Sequence, residues 1–304
     1  MNTFEHLRGV YCAAVTPLTS DFRVDTQAIP LLLEFLADRG CNGALLLGTT
    51  GEGPSFASYE RLAILQAALN YRTSLPGFRI LAGTATPSLE ETIQLTRTAF
   101  ELGVDGVVVL PPYYYRKVSD EGLFDWFSQV IRQAVPDGKA FFGYHIPTVT
   151  GVPLSIELLG RLKESFPSRF AGLKDSSSDP EQARLLGTVF EEEIMVFSGN
   201  DRLFSLALKH HSAGCITALA NLCSPDLARV WNAFQQGQDA IQAQARLEAA
   251  RRIMENYTPF PPFVKAMLSY SYHFPFWPVR PPLSSLPIAA IENGLVEMDK
   301  LCES

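Results

Sequence analysis

The folds open to this chain are limited most by eight short apolar runs, each followed by a longer stretch with helical periodicity. The runs are apolar at consecutive positions, which is typical of parallel strands covered by helices on both faces. We predict strands at residues 9–15, 43–47, 79–83, 106–110, 139–144, 170–174, 194–198 and 214–218. We predict the intervening helices at residues 26–39, 58–71, 89–102, 121–134, 155–165, 180–190, 201–211 and 225–235.

Eight strand–helix units in about 230 residues predict the α/β class and a closed (β/α)8 TIM barrel. An open parallel sheet is the alternative, but its usual GxGxxG phosphate motif is missing after the first strand. We assign the catalytic barrel to residues 1–237 and a C-terminal helical extension, packed on the barrel, to residues 238–304. The extension is predicted to hold three helices, at residues 239–256, 262–272 and 286–301. The aromatic, proline-rich segment 273–282 between the last two is predicted to be a packed connection or a subunit contact and not a linker.

Charge and cysteine usage narrow the function classes. A net charge of −7 argues against nucleic acid or an anionic membrane as the main partner and leaves small anionic ligands open. The chain has no run near the roughly 18 apolar residues of a membrane helix and no signal-peptide core at its start. Its five cysteines, an odd number without CxxC spacing, are interpreted as reduced core residues of a cytoplasmic protein.

Lys174 ends the apolar run Phe170-Ala-Gly-Leu-Lys174, and a polar run begins directly after it. An ammonium is costly to bury, and a buried amine lowers its pKa and becomes a nucleophile toward carbonyls. This pattern favours a Schiff-base lysine. The alternative is a solvated lysine just past the end of a strand.

Two other polar groups follow predicted strands, where the active sites of such barrels lie. Tyr144 ends the fifth strand, a neighbour of the sixth, so we expect its phenol to meet Lys174 and to shuttle protons. The turn Gly48-Thr49-Thr50-Gly51 follows the second strand and offers hydroxyls and N–H groups to a carboxylate. The alternatives are a core tyrosine with a hydrated hydroxyl and an ordinary tight turn.

Across nearly its whole length the chain resembles the dihydrodipicolinate synthase / N-acetylneuraminate lyase family of pyruvate-dependent class I aldolases. The residues that carry the resemblance are Thr16-Pro17, Gly48-Thr-Thr-Gly-Glu52, Tyr113-Tyr-Tyr115, Tyr144-His-Ile-Pro147, Gly172-Leu-Lys174-Asp175, Gly199-Asn-Asp201 and Arg280-Pro-Pro282.

The resemblance implies roles for these residues. Lys174 would form an imine with the 2-oxo carbon of pyruvate, and Tyr144 would relay protons to it. Thr50, together with Thr49 and the Gly48 turn, would hold the pyruvate carboxylate and pass protons to Tyr144. Because the imine serves as the electron sink, the resemblance implies no metal and no other cofactor. The five histidines also show no HxH or HExxH spacing.

The resemblance implies further roles, which it assigns to residues less precisely. Either Tyr114 or Tyr115 would complete the relay from a neighbouring subunit of a homotetramer, a dimer of dimers. Counting forward from Pro111-Pro112 favours the first tyrosine, and counting back from the segment 121–123 favours the second. Ile216 would pack near pyruvate, and Ser176 and Asp201 would face the distal part of the substrate.

The chain departs from the dihydrodipicolinate synthase pattern Pro-x-Arg-Thr-Gly, whose arginine grips a substrate carboxylate. Here the segment is Pro147-Thr148-Val149-Thr150-Gly151, and valine cannot bind a carboxylate. This version resembles the aldolases of 2-keto-3-deoxy sugar acids, in which hydroxyls contact a polyol. His145 replaces the asparagine of most relatives, and its role is open.

The predicted function is therefore reversible cleavage of a 2-keto-3-deoxy sugar acid to pyruvate and an aldehyde. The alternatives are a dehydratase of a related keto acid, dihydrodipicolinate synthase or N-acetylneuraminate lyase activity, and a non-catalytic barrel that binds a keto acid. A phosphate-binding isomerase would need a glycine-rich phosphate cup after strands seven and eight, which the chain barely supplies.

Overall fold

A computed structural model describes residues 3–302 of the chain, in which eight parallel strands in sequence order form a closed barrel. The predicted (β/α)8 fold is therefore confirmed. The strands are β1 (Gly9–Ala13), β2 (Gly43–Leu46), β3 (Arg79–Gly83), β4 (Gly106–Val109), β5 (Ala140–His145), β6 (Phe170–Asp175), β7 (Met195–Ser198) and β8 (Gly214–Thr217).

Helices follow the strands in the alternation that the sequence predicts. They are α1 (Ala28–Asp38), α2 (Ser58–Arg72), α3 (Leu89–Leu102), α4 (Asp120–Ala134), the short α5 (Pro147–Thr150), α6 (Ile156–Ser165), α7 (Pro180–Phe190), α8 (Phe204–Lys209), α9 (Ala220–Gln235), α10 (Ile241–Glu255), α11 (Phe260–Tyr272) and α12 (Ile288–Cys302). The last three form the predicted C-terminal three-helix extension.

The described residues divide into two compact units. One comprises residues 3–9 and Arg79–Ile216, and the other comprises Val10–Phe78 and residues 217–302. The first unit has an aromatic core, in which the ring centroids of Phe127 and Phe141 are 6.0 Å apart and those of Phe142 and Phe197 are 5.4 Å apart. The core of the second is mainly aliphatic and includes Leu33, Leu36, Leu45, Leu247, Val264 and Leu268. The predicted boundary between residues 237 and 238 stays a prediction.

A β-bulge in β6 sets the register of the strands that carry the candidate site. Phe141 of β5 lies opposite Phe170, but Phe142 lies opposite Gly172, so β6 has one extra residue there. Tyr144 consequently lies opposite Lys174 instead of Leu173. A one-residue slip moves every later side chain to the other face of a strand, so the bulge decides which residue meets Tyr144.

Glycine is required at this bulge because position 172 has a φ of +153° and a Cβ there would lie 2.0 Å from the Met195 carbonyl oxygen. The sequence prediction placed the ends of these strands one residue too early. β5 includes His145 and β6 includes Asp175, which pair across the two strands. Both residues are therefore held by strand hydrogen bonding and not by a loop.

Several predicted helices differ from those observed. The helix predicted at 225–235 is α9, which begins five residues earlier, at Ala220. The predicted helix 201–211 is a 3₁₀ turn at Asp201–Leu203 followed by α8, because the Asn200 side chain accepts the Arg202 N–H and shapes a tight turn first. α1 begins at Ala28 and not at residue 26. Asp25 lies before that helix, and its carboxylate accepts the Ala28 N–H at 3.2 Å.

The segment 273–282 is packed and not a linker, as predicted, because Trp277 and Val279 are buried. Of the cysteines whose side chains the structure describes, Cys12, Cys41 and Cys215 are buried and Cys223 is half-buried. The side chain of Cys302 lies outside the described ones. Burial raises the pKa of the Cys41 thiol to about 12. Among residues 3–302, no helix combines the length and apolarity needed to cross a membrane.

Candidate active site

Lys174 and Tyr144 form the centre of the candidate site. Both side chains are buried, at 3% and 4% exposure, near the carboxyl ends of β6 and β5. The Lys174 Nζ lies 4.1 Å from the centroid of the Tyr144 ring, within cation–π range. The alternative of a solvated lysine is therefore wrong, and a primary amine and a phenol share one buried location, as predicted.

The next residues on the same strands, His145 and Asp175, form a second buried pair. The Nδ1 of His145 accepts the Leu154 N–H at 3.0 Å, which leaves Nε2 to carry the proton of the neutral ring. Burial lowers the pKa of His145, and the nearby Asp175 charge opposes this shift. Burial also raises the pKa of Asp175, against the hydrogen bonds that its carboxylate accepts from Ser177.

We expect His145 to make the protein less stable at mildly acidic pH. Because its folded-state pKa lies below the ordinary 6.5, the unfolded chain binds a proton more readily, and stability falls as pH drops through 6.5. In His145→Gln the fall in unfolding free energy between pH 7 and 5 should be shallower, measured by urea unfolding. Exposed His6, changed to Gln, is the matched control. An equal slope in wild type and His145→Gln would contradict this assignment.

The loops after β6 and β7 are in close contact. The Gly199 N–H donates to the Asp175 carbonyl oxygen at 2.7 Å, and a Cβ on Gly199 would lie 2.0 Å from the Ser176 Oγ. Ser176 is half-buried, and Asp201, two residues past this contact, is completely buried. Ile216 is also completely buried, on β8. The roles predicted for Ser176, Asp201 and Ile216 stay predictions.

The segment 147–151 supplies one free hydroxyl and not two. Thr148 is exposed, whereas Thr150 is buried. The Thr150 Oγ1 accepts the Val152 N–H at 3.2 Å and lies 3.1 Å from the Val152 carbonyl oxygen. Thr150 therefore shapes the loop, and Thr148 is the hydroxyl left for a substrate. Val149, with 56% exposure, gives this segment an apolar surface.

The turn with the two threonines belongs to the second unit and is tightly wound. Leu47 and Glu52 have positive φ angles of 61° and 56°, and the Thr16 hydroxyl donates to the Gly51 carbonyl oxygen at 2.7 Å. Thr49 is exposed, whereas Thr50 is buried. This geometry shows a rigid turn. The action of Gly48, Thr49 and Thr50 together with Lys174 stays a prediction.

Sequence reasoning missed Lys265, the buried lysine that holds this turn in place. Its Nζ lies 2.5 Å from the Glu52 Oε1, with both side chains at 1% exposure or less. The same amine donates to the Pro278 carbonyl oxygen at 2.7 Å, and the Arg280 N–H donates to the Glu52 Oε2 at 2.8 Å. Burial lowers the pKa of Lys265, and Glu52 opposes that shift. The available signal was a lone charge inside the apolar run 261–268.

Arg280 joins two more segments of the second unit. Its guanidinium forms an ion pair with Glu60 and donates to the carbonyl oxygens of Phe22 and Ser55. Arg280 holds the pKa of the Glu60 carboxyl below its ordinary value. Two of the sequence motifs, Gly48–Glu52 and Arg280–Pro282, are thus parts of one ion-pair network that supports the turn.

Tyr114 and Tyr115 lie on the loop after β4 and are 77% and 72% exposed. Their rings pack edge to face, with centroids 5.2 Å apart. The choice between the two for the relay stays a prediction. Within residues 3–302, no three His, Cys, Asp or Glu side chains are grouped as metal ligands.

Comparisons with known proteins agree with this geometry. Residues 6–290 match the dihydrodipicolinate synthetase family. A DapA-like lyase of Chloroflexus aurantiacus is 41% identical over 281 residues, 92% of each chain. A 4-hydroxy-tetrahydrodipicolinate synthase of Methanococcoides burtonii is 28% identical, over 95% of each chain. The crystal structure of YagE, a prophage protein of the dihydrodipicolinic acid synthase family from E. coli K12 in complex with pyruvate, superposes with a TM-score of 0.91 at 26% identity, covering 97% of this chain and 98% of YagE. The chain belongs to the dihydrodipicolinate synthetase family and is a lyase of the class I aldolase type.

Proposed function

We propose that this enzyme forms an imine between Lys174 and pyruvate and reversibly cleaves a 2-keto-3-deoxy sugar acid to pyruvate and an aldehyde. The observation that carries the proposal is the buried Lys174 Nζ, 4.1 Å from the centre of the Tyr144 ring. Carbonyl condensation needs a nucleophilic amine with a proton relay beside it, and this pair provides both.

Cleavage begins when the Lys174 amine attacks the C2 carbonyl of the sugar acid and a water molecule leaves. The Tyr144 hydroxyl gives and takes the protons of this dehydration. The C4 hydroxyl then loses its proton to the relay, the C3–C4 bond breaks, and the electron pair moves into the iminium to form an enamine. C3 takes up a proton, and water hydrolyses the imine to release pyruvate.

The remaining predicted residues fit this scheme as a proposal. Thr49 and Thr50, on the rigid turn after β2, would bind the carboxylate next to the imine, and Ile216 would limit the space around the methyl group. Tyr114 or Tyr115 would enter the site of a neighbouring subunit in a homotetramer. Their large exposed rings support a contact with another subunit. The odd number of cysteines, without CxxC spacing, supports a cytoplasmic location.

The segment 147–151 supports the proposed class of aldehyde. Val149 cannot bind the carboxylate of an aldehyde substrate as the arginine of the synthase pattern does, although many relatives carry the synthase name. The exposed Thr148 hydroxyl suits a polyol. A dehydratase would use the same imine, so only its products distinguish it.

Borohydride trapping tests the proposal. Reduction in the presence of pyruvate should add one pyruvate-derived group to Lys174, located by peptide mass spectrometry. Lys265 is an internal control, because it is buried but paired with Glu52. A panel of 2-keto-3-deoxy acids should then release pyruvate, measured with lactate dehydrogenase. No adduct, or an adduct on Lys265, would contradict the mechanism, and keto-acid consumption without pyruvate would indicate the dehydratase.

A further inference from the structure

Arg116, on the loop after β4, packs against Gly151, the residue directly after α5. Gly151 has a φ of +67°, and its N–H donates to the Pro147 carbonyl oxygen at 2.8 Å. A Cβ on Gly151 would lie 2.8 Å from the Cδ and 3.4 Å from the Nε of Arg116. The missing side chain at position 151 therefore makes room for the arginine stem.

The charge of Arg116 is available to a ligand. The nearest acidic residues along the chain are already engaged, since Asp120 accepts the Ser155 hydroxyl at 2.5 Å and Glu121 pairs with Arg161 at 2.9 Å. In the part of the chain that the structure describes, Arg116 forms no ion pair, and its side chain is exposed. Arginine stays charged at all physiological pH values and binds carboxylate or phosphate in bidentate fashion.

The helix that Arg116 approaches, α5, is connected to the strand that carries a residue of the proposed reaction. α5 follows directly on β5, the strand that places the Tyr144 ring against the Lys174 amine. Val149, on the same four-residue helix, stands where the synthase pattern has its carboxylate-binding arginine. Arg116, on the loop after β4, places a guanidinium group beside this helix.

We propose that Arg116 binds an anionic group, a carboxylate or a phosphate, at the end of the substrate remote from the imine. This rests on the proposed function and narrows its substrate to sugar acids whose aldehyde fragment carries its own negative charge. Thr148 would contact the hydroxyls between the two charged ends.

Imine trapping with two keto acids of equal length tests this without knowledge of the aldehyde. The Lys174 adduct is quantified over a concentration series of 2-oxoadipate, which has a distal carboxylate, and of 2-oxohexanoate, which has none. Arg116→Gln should raise the half-maximal concentration of 2-oxoadipate about tenfold or more and leave that of 2-oxohexanoate within about twofold. Lys117→Gln, which removes the adjacent exposed cation, is the matched control and should change neither.

Condensation of pyruvate with D-glyceraldehyde 3-phosphate and with D-glyceraldehyde distinguishes phosphate from carboxylate. A loss in Arg116→Gln confined to the phosphorylated aldehyde, or to 2-oxoadipate, identifies the anion and supports the proposal. Equal losses for charged and neutral compounds, no loss at all, or the same loss in Lys117→Gln would overturn it. If pyruvate labels Lys174 normally in those cases, only this proposal fails. If pyruvate does not label wild-type Lys174, the proposed function fails and this proposal fails with it.

Discussion

Lys174→Met should lower the rate of pyruvate release by at least about a thousandfold, because no other group at the site can form the imine. The same variant should give no borohydride adduct with pyruvate. Methionine keeps the volume of the lysine stem against the Tyr144 ring, so the expected loss is chemical and not a consequence of unfolding. Steady-state kinetics and intact-protein mass spectrometry measure both effects.

The thermal stability of Lys174→Met distinguishes a loss of chemistry from a loss of folding. Replacing a buried amine with an apolar side chain of similar volume removes a desolvation cost, so the melting temperature of Lys174→Met should be unchanged or higher. Exposed Lys209, the last residue of α8, changed to Met is the control, and this variant should keep its activity. Substantial pyruvate release by a folded Lys174→Met protein would rule out the imine mechanism.

Lys265→Met should destabilise the protein by about 3–5 kcal/mol, because it leaves the Glu52 carboxylate buried without its partner amine. Urea unfolding measures the change. Activity should also fall at temperatures well below unfolding, since Glu52 ends the turn that carries Thr49 and Thr50. The double variant Glu52→Gln with Lys265→Met should recover most of the stability, because it removes both buried charges.

The ion pair of Arg161 with Glu121 is the matched control for this experiment. Its side chains are 42% and 66% exposed, so Arg161→Gln should leave the unfolding free energy nearly unchanged. If Lys265→Met were as mild as Arg161→Gln, or if the double variant were less stable than both single variants, the network would not have the supporting role assigned to it.

The fold class was predictable because parallel strands that are covered on both faces require consecutive apolar residues. That requirement is local, so the positions of β3, α3 and α7 were predicted to the residue. Strand ends were less predictable. His145 and Asp175 are polar and follow an apolar run, which indicates a loop, yet backbone pairing between β5 and β6 includes both.

Some residues of the candidate site were likewise predictable from the sequence, and others were not. Lys174 and Tyr144 could be predicted because each ends an apolar strand in consecutive strand–helix units, and their contact confirms that expectation. Lys265 could not be assigned a role, because its partner Glu52 lies 213 positions away in the chain. Thr150 and Thr148 look equivalent in sequence, but only the folded loop shows that one hydroxyl is used internally.

The sequence by itself determined the strand–helix order, the barrel and the placement of an amine and a phenol near the ends of neighbouring strands, since each depends on neighbouring residues and on the fixed order of strands in such a fold. Tertiary structure alone decided the register that places Tyr144 opposite Lys174, the salt bridge beneath the threonine turn and the position of Arg116 on Gly151. These features depend on a one-residue bulge and on contacts between distant segments. Neither leaves a periodic pattern in the chain.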